Sequence, residues 1–194
     1  NDINYKRRLV WELGNAMLDA LRVAHTRAEA DEAAEYGKMA VALLEGAKVH
    51  RQVTPDQDYL FGELYFLIGS SHAIFQENHK QAAKWFDKSN PLLMRPLPES
   101  ARADRAVVGE WLVSMGVTYW KVEQHDKGIE MTRAGVMMIQ QAVRENTADA
   151  SALVIPYSNL SSMYMQLGDR AKSQSYSQMA TEARGPGRID AIRL

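Results

Sequence analysis

Five histidines, at positions 25, 50, 72, 79 and 125, are the side chains of this 194-residue chain best suited to proton transfer or metal binding. Their spacing supports neither. No two stand in the His-Glu-x-x-His pattern that sets a pair of imidazoles and a general base on one helical face, and no Glu-x-x-His step supplies the ligands of a di-metal bundle. His79 and His125 occupy matching turn positions, so they read as repeat residues. Cysteine is absent, which removes thiolate nucleophiles, disulfides and Cys-based zinc sites and leaves the redox compartment undetermined. The serine-rich run at 158–162 has no base nearby in sequence and no nucleophile-elbow pattern. Gly185-Pro-Gly-Arg lacks the strand and helix that a phosphate-cradling loop requires, and Asn159-Leu-Ser, a formal glycosylation acceptor, lies inside a helical pattern. The residues assemble no catalytic centre, so the expectation is a non-enzyme with no cofactor and no metal.

A net charge of −1 argues against a general nucleic-acid binder, which needs a basic excess to displace phosphate counterions. No apolar run approaches the roughly 20 residues of a membrane span, and the N-terminus lacks a basic segment, an apolar stretch and a small-residue cleavage site. A chain of this length buries about 70% of its unfolded surface and folds without staples. It starts at Asn1 rather than Met, which is expected of a processed product or of a segment of a larger protein; a cytoplasmic location is favoured.

The elements that position these residues are helical. Apolar residues recur at three- and four-residue steps almost throughout, without a convincing alternating strand pattern. Eight helices are expected, over 3–24, 29–50, 56–75, 79–93, 99–122, 126–145, 149–166 and 170–184, pairing as four antiparallel hairpins (3–50, 56–93, 99–145 and 149–184) in one domain over 1–185, with 186–194 as a tail. Thr54-Pro-Asp-Gln57 offers an N-cap hydroxyl, a proline at the first helical position and a glutamine to close a capping box. Asn78, Asp126 and Asp169 are placed to cap second helices, and Gly168 to end the helix before. The proline-dense stretch 90–98 should close one hairpin and lead to the next.

One spacing occurs three times: a small residue, a second residue three positions on that is His72 or a tyrosine, a polar turn, then a second helix opening on a small residue. It runs Gly69, His72, Ala82; then Gly116, Tyr119, Gly128; then Ser161, Tyr164, Ser173. Small side chains at these positions let paired helices cross closely. Tyr65, Phe86, Tyr119, Tyr157, Tyr164 and Tyr176 are expected around them as core. In the first hairpin Gly14 and Met17 take the matching places, but Ala33 then lies several residues too far on. Between Gly69 and Ala82 there is one residue more than between Gly116 and Gly128, which predicts a bulge or shifted register.

These stretches, above all Ser114-Met-Gly-Val-Thr-Tyr-Trp-Lys-Val-Glu-Gln-His-Asp-Lys-Gly and Asn159-Leu-Ser-Ser-Met-Tyr-Met-Gln-Leu-Gly-Asp, resemble tetratricopeptide repeats. The resemblance covers nearly the whole chain, with a longer period than the family's roughly 34 residues: 47 from Gly69 to Gly116 and 45 from Gly116 to Ser161. It implies an all-α solenoid, a right-handed superhelix of about four hairpins, whose first helices line a concave surface for a peptide or partner protein. The family pattern then places Arg8, Trp11, Asn15, Glu63, Phe66, Ser70, Glu110, Val113, Ser114, Val117, Trp120, Lys121, Ser158, Asn159, Ser162 and Gln166 on that surface. Trp11 and Trp120 are its best anchors. Trp11, Glu110 and Ser114 stand where a chaperone-tail clamp needs Lys or Arg, which disfavours that ligand. The expected function is a protein-interaction scaffold; the alternatives are a peptide-responsive regulatory sensor and, third, an enzyme domain. Met131, Met137, Met138, Met163 and Met165 are expected mainly in the core, with an adaptable binding stripe as the alternative.

Overall fold

The structure is a computed structural model that describes residues 2–48 and 54–185. All regular structure among them is helical. The helices are α1 (Asp2–Thr26), α2 (Ala30–Lys48), α3 (Pro55–Ile74), α4 (His79–Leu93), α5 (Arg105–Lys121), α6 (His125–Arg144), α7 (Val154–Gln166) and α8 (Arg170–Arg184). Short 3-10 segments, Glu99–Asp104 and Ala150–Leu153, replace the expected first turns of the fifth and seventh helices. Neighbours in sequence pack as four antiparallel hairpins, the repeating element of an α-solenoid. They are grouped in two compact units, Asn1–Pro98 and Glu99–Leu194, where the sequence reads as one domain over 1–185. Residues 49–50 of the expected second helix, with His50, and the tail 186–194 lie outside the described residues.

Local chemistry sets most helix ends. Thr54 accepts from the Gln57 N–H while the Gln57 side chain accepts from the Thr54 N–H, with Pro55 opening α3. Asn78 caps α4 through the Gln81 N–H at 3.1 Å, and Asp169 caps α8 through the Lys172 N–H at 3.0 Å. Asp126 is not a cap: Gln124 holds that position, and the carboxylate sits in the first turn of α6. Pro91 lies inside α4, which continues to Leu93, so the proline-dense stretch ends the hairpin later than its composition implies.

Each hairpin turns through one residue of positive φ: Ala28 (59°), Glu77 (51°), Glu123 (64°) and Gly168 (79°). The next N–H returns to a carbonyl of the first helix. Glu29 donates to Ala24, Gln124 to Tyr119 and Asp169 to Tyr164, each at 2.9 Å and across five residues; Asn78 donates to His72, also at 2.9 Å, across six. The extra residue between Gly69 and Ala82 is therefore absorbed in the turn, and the helices on either side keep their register.

The same anchor corrects the first hairpin. Ala24 is the counterpart of His72, Tyr119 and Tyr164, so Leu21 rather than Gly14 corresponds to Gly69 and Gly116, and Ala33 follows Leu21 by 12 residues, as Gly128 follows Gly116. Gly14 belongs with Gly62 and Gly109, seven residues earlier. A Cβ on Gly14 would lie 2.7 Å from Leu44 and 3.3 Å from Leu43, and one on Gly62 would lie 2.6 Å from Leu93 and 3.4 Å from Leu92. On Gly109 it would meet Ile139 at 2.7 Å and Met138 at 3.2 Å.

The small residues close the crossings as expected. A Cβ on Gly116 would sit 2.7 Å from the Gly128 carbonyl oxygen, and one on Gly135 would sit 2.4 Å from that of Gly109, so α5 and α6 touch backbone to backbone at two levels. Ser161 donates to the Ser173 carbonyl at 2.9 Å, tying α7 to α8. Gly69 receives the Phe86 ring, 2.5 Å from where a Cβ would stand. Tyr65, Phe86, Tyr119, Tyr157 and Tyr164 are buried and Tyr176 half-buried.

Candidate interaction surface

In the N-terminal unit the expected partner-facing residues of α3 are covered by α1 and α4. Glu63 is only 7% exposed, and both its oxygens accept from Arg22 of α1, Nε to Oε1 and Nη2 to Oε2, each at 2.6 Å. Arg22 also pairs with Asp19, and hydrogen bonding to Glu63 raises its pKa, so the guanidinium stays charged. Ser70 is buried beside His25 Nε2 at 3.0 Å, and the His25 ring lies 5.5 Å from that of Phe75. Phe66 is buried and stacks on Phe86 of α4 at 5.8 Å. Glu63, Phe66 and Ser70 are thus contacts between helices, not a free peptide-binding face. The family pattern cannot reveal this, because it numbers faces without knowing that α1 supplies a long cation and an imidazole opposite them.

The α1 candidates stay nearer the surface. Trp11 is half-buried, its ring set at a steep angle to Phe61, 6.3 Å between centroids. Asn15, also half-buried, donates to the Trp11 carbonyl at 2.9 Å, while Arg8 is exposed and pairs with Glu12 at 3.7 Å.

In the C-terminal unit the expected residues form a surface along α5 and α7, with one exception. Val113 is buried, 2.7 Å from where a Cβ on Gly135 would stand, and belongs to the α5–α6 crossing. Glu110, Ser114 and Lys121 are exposed on α5, as are Ser162 and Gln166 on α7; Val117, Ser158 and Asn159 are half-buried. Trp120 joins the two rows. Its Nε1 donates to Gln166 Oε1 at 2.9 Å, its ring lies 4.2 Å from that of His125, and with Val117 it packs on the cluster built around Leu160 and Met163. The Ser114 and Ser158 hydroxyls donate to their own helices, to the Glu110 carbonyl at 3.0 Å and the Val154 carbonyl at 2.8 Å.

The methionines do not make a stripe. Met131 and Met163 are buried, whereas Met137 and Met165 are exposed on different helices. Among the described residues no group of three or more His, Asp or Glu side chains is placed to hold a metal ion, and no helix is long and apolar enough to cross a membrane.

No protein-family profile matches the chain, and no curated protein matches it. Among solved structures, the crystal structure of MamA protein is similar over 94% of this chain and 98% of its own, at 16% identity and a TM-score of 0.46. The crystal structure of BtubC (BKLC) from P. vanneervenii is similar over 96% and 97%, at 16% identity and a TM-score of 0.36. Neither carries the functional reading, which rests on the surface itself.

Proposed function

We propose that this chain is a protein-interaction module that works by presenting a surface, and that the α5–α7 face of its C-terminal unit holds an extended segment of a partner protein. The observation that carries the reading is Trp120. A half-buried indole fixed by Gln166 and His125 contributes contact area with little side-chain entropy left to lose. Along the same two helices stand Glu110, Ser114, Lys121, Ser158, Asn159 and Ser162, polar side chains that accompany an apolar anchor, as is usual in interfaces. Such a surface makes a modest interface of below about 1,200 Å² in total and binds reversibly. Trp11, with Arg8 and Asn15, is the corresponding contact proposed for the N-terminal unit.

Selection from a displayed peptide library against the full chain tests this. Peptides enriched on the wild type should bind at least about 30-fold more weakly to Trp120→Ala, and similarly to Ser162→Arg, when both variants melt as the parent does. Unchanged affinity for both variants would remove the α5–α7 face as the binding site.

A further inference from the structure

The outer side of α1 carries an apolar seam that its own unit leaves uncovered. Tyr5, Leu9, Leu13 and Val23 are 67%, 57%, 48% and 48% exposed, and Ala16 and Ala20 fill the interval between the last two. The steps of three and four keep all six on one face, turned away from Gly14, Leu18 and Leu21, which are buried in the hairpin, and from Trp11, which meets α3. At its C-terminal end the seam opens into a groove of about 330 Å³ between α1 and α2, floored by Ala20, Val23 and Tyr36 and rimmed by Asp19, Glu29 and Glu32, with Arg27 as its one cation. At the other end of the helix stand Lys6 and Arg8, the latter paired with Glu12.

This arrangement is self-complementary, and we propose that a second copy of the chain packs antiparallel on α1. Setting Leu13 against Ala16 of the other copy brings Leu9 opposite Ala20 and Tyr5 into the groove beside Val23. The same register carries Lys6 to the Glu29 and Glu32 rim, and two-fold symmetry makes every contact twice. Reversing the direction of one helix would set the two basic ends together and the two acidic ends together. The outer face of α8 shows why the seam does not take that helix instead: Gln174, Ser175, Gln178 and Glu182 are all exposed there, so a head-to-tail contact would bury polar groups against apolar ones. A pair of 25-residue helices with an occupied groove at each end buries on the order of 1,200 Å², at the lower edge of what holds a specific complex.

Sedimentation velocity of the full chain across a wide concentration range should show a reversible monomer–dimer equilibrium. Leu13→Glu, at an exposed position that does not disturb the fold, should weaken it at least about 100-fold, because the charge enters the interface twice. Lys6→Glu in one variant, and Glu29→Lys with Glu32→Lys in another, should each be monomeric alone and form a one-to-one heterodimer when mixed. A wild type that stays monomeric throughout, or a dimer indifferent to Leu13→Glu, overturns the proposal. Charge variants that fail to pair with each other, while each keeps its helicity, overturn the antiparallel register.

Discussion

Arg22 and Glu63 stand 41 residues apart in sequence, yet they form a doubly hydrogen-bonded ion pair, with Asp19 also on Arg22. Two hydrogen bonds in a planar fork fix orientation as well as charge, so the pair sets how α1 lies on α3. A turn further along, His25 meets Ser70 and Phe75, and burial lowers the imidazole pKa below its usual value of 6.5. The sign of the pH dependence follows. As pH falls, the unfolded chain takes up this proton before the folded one does, so the contribution of neutral His25 is intact above 6.5 and is lost as the pH drops through the lowered folded value. Urea unfolding at a series of pH values should therefore show stability falling on the acid side of neutrality, with a smaller fall in His25→Gln. If the variant loses as much as the wild type over that range, His25 is not the source.

At the scale of the element, the four turns pose one conformational requirement and meet it with different residues. Gly168 takes positive φ without strain, whereas Ala28, Glu77 and Glu123 adopt it with a Cβ in place, at about 1 kcal/mol each. Replacing Glu123 with glycine relieves that cost and returns part of it through the freer unfolded chain. The expected net gain is about 0.5–1 kcal/mol, read as a rise of roughly 1–4 °C in thermal midpoint; a midpoint that falls would contradict the turn geometry. The same contrast explains what the sequence makes legible. Caps were readable because their chemistry is local: Thr54 with Gln57, Asn78 and Asp169 each act within three residues. The left-handed glutamates and Ala28 announce nothing, and without them the first hairpin is set in the wrong register, with Gly14 taken for a counterpart of Gly116 when its neighbours match those of Gly62 and Gly109. The candidate surface fails for a different reason. Repeat position fixes which side of a helix a residue occupies, but Glu63, Phe66, Ser70 and Val113 are buried by partners whose length and shape only the packed structure supplies.

Across the whole molecule, the hairpins belong to two compact units, and each unit closes its crossings with its own residues: Gly14, Gly62 and Gly69 before Pro98, and Gly109, Gly116, Gly135 and the Ser161–Ser173 pair after it. In a repeat architecture, stability is the sum of each unit's own packing and its neighbour terms, so damage to one crossing is felt first where it is made. Gly116→Leu tests this sharply. A Cβ there already approaches the Gly128 carbonyl oxygen at 2.7 Å and the Thr132 backbone nitrogen at 2.9 Å, backbone atoms that can yield only if α6 moves. The expected cost is about 1–3 kcal/mol from overpacking. Native-state hydrogen exchange should then accelerate in α5 and α6, and in α7 through the cluster that Trp120 and Val117 share with Leu160, while the amides of α1 to α4 keep their protection. Uniform acceleration from α1 to α8 would show instead that the chain opens as a single cooperative body. The α5–α7 face provides the functional readout of the same variant: if it binds as proposed, peptide affinity should fall together with protection in α5 and α7, because Trp120 and Gln166 hold their geometry only while those two helices stay packed.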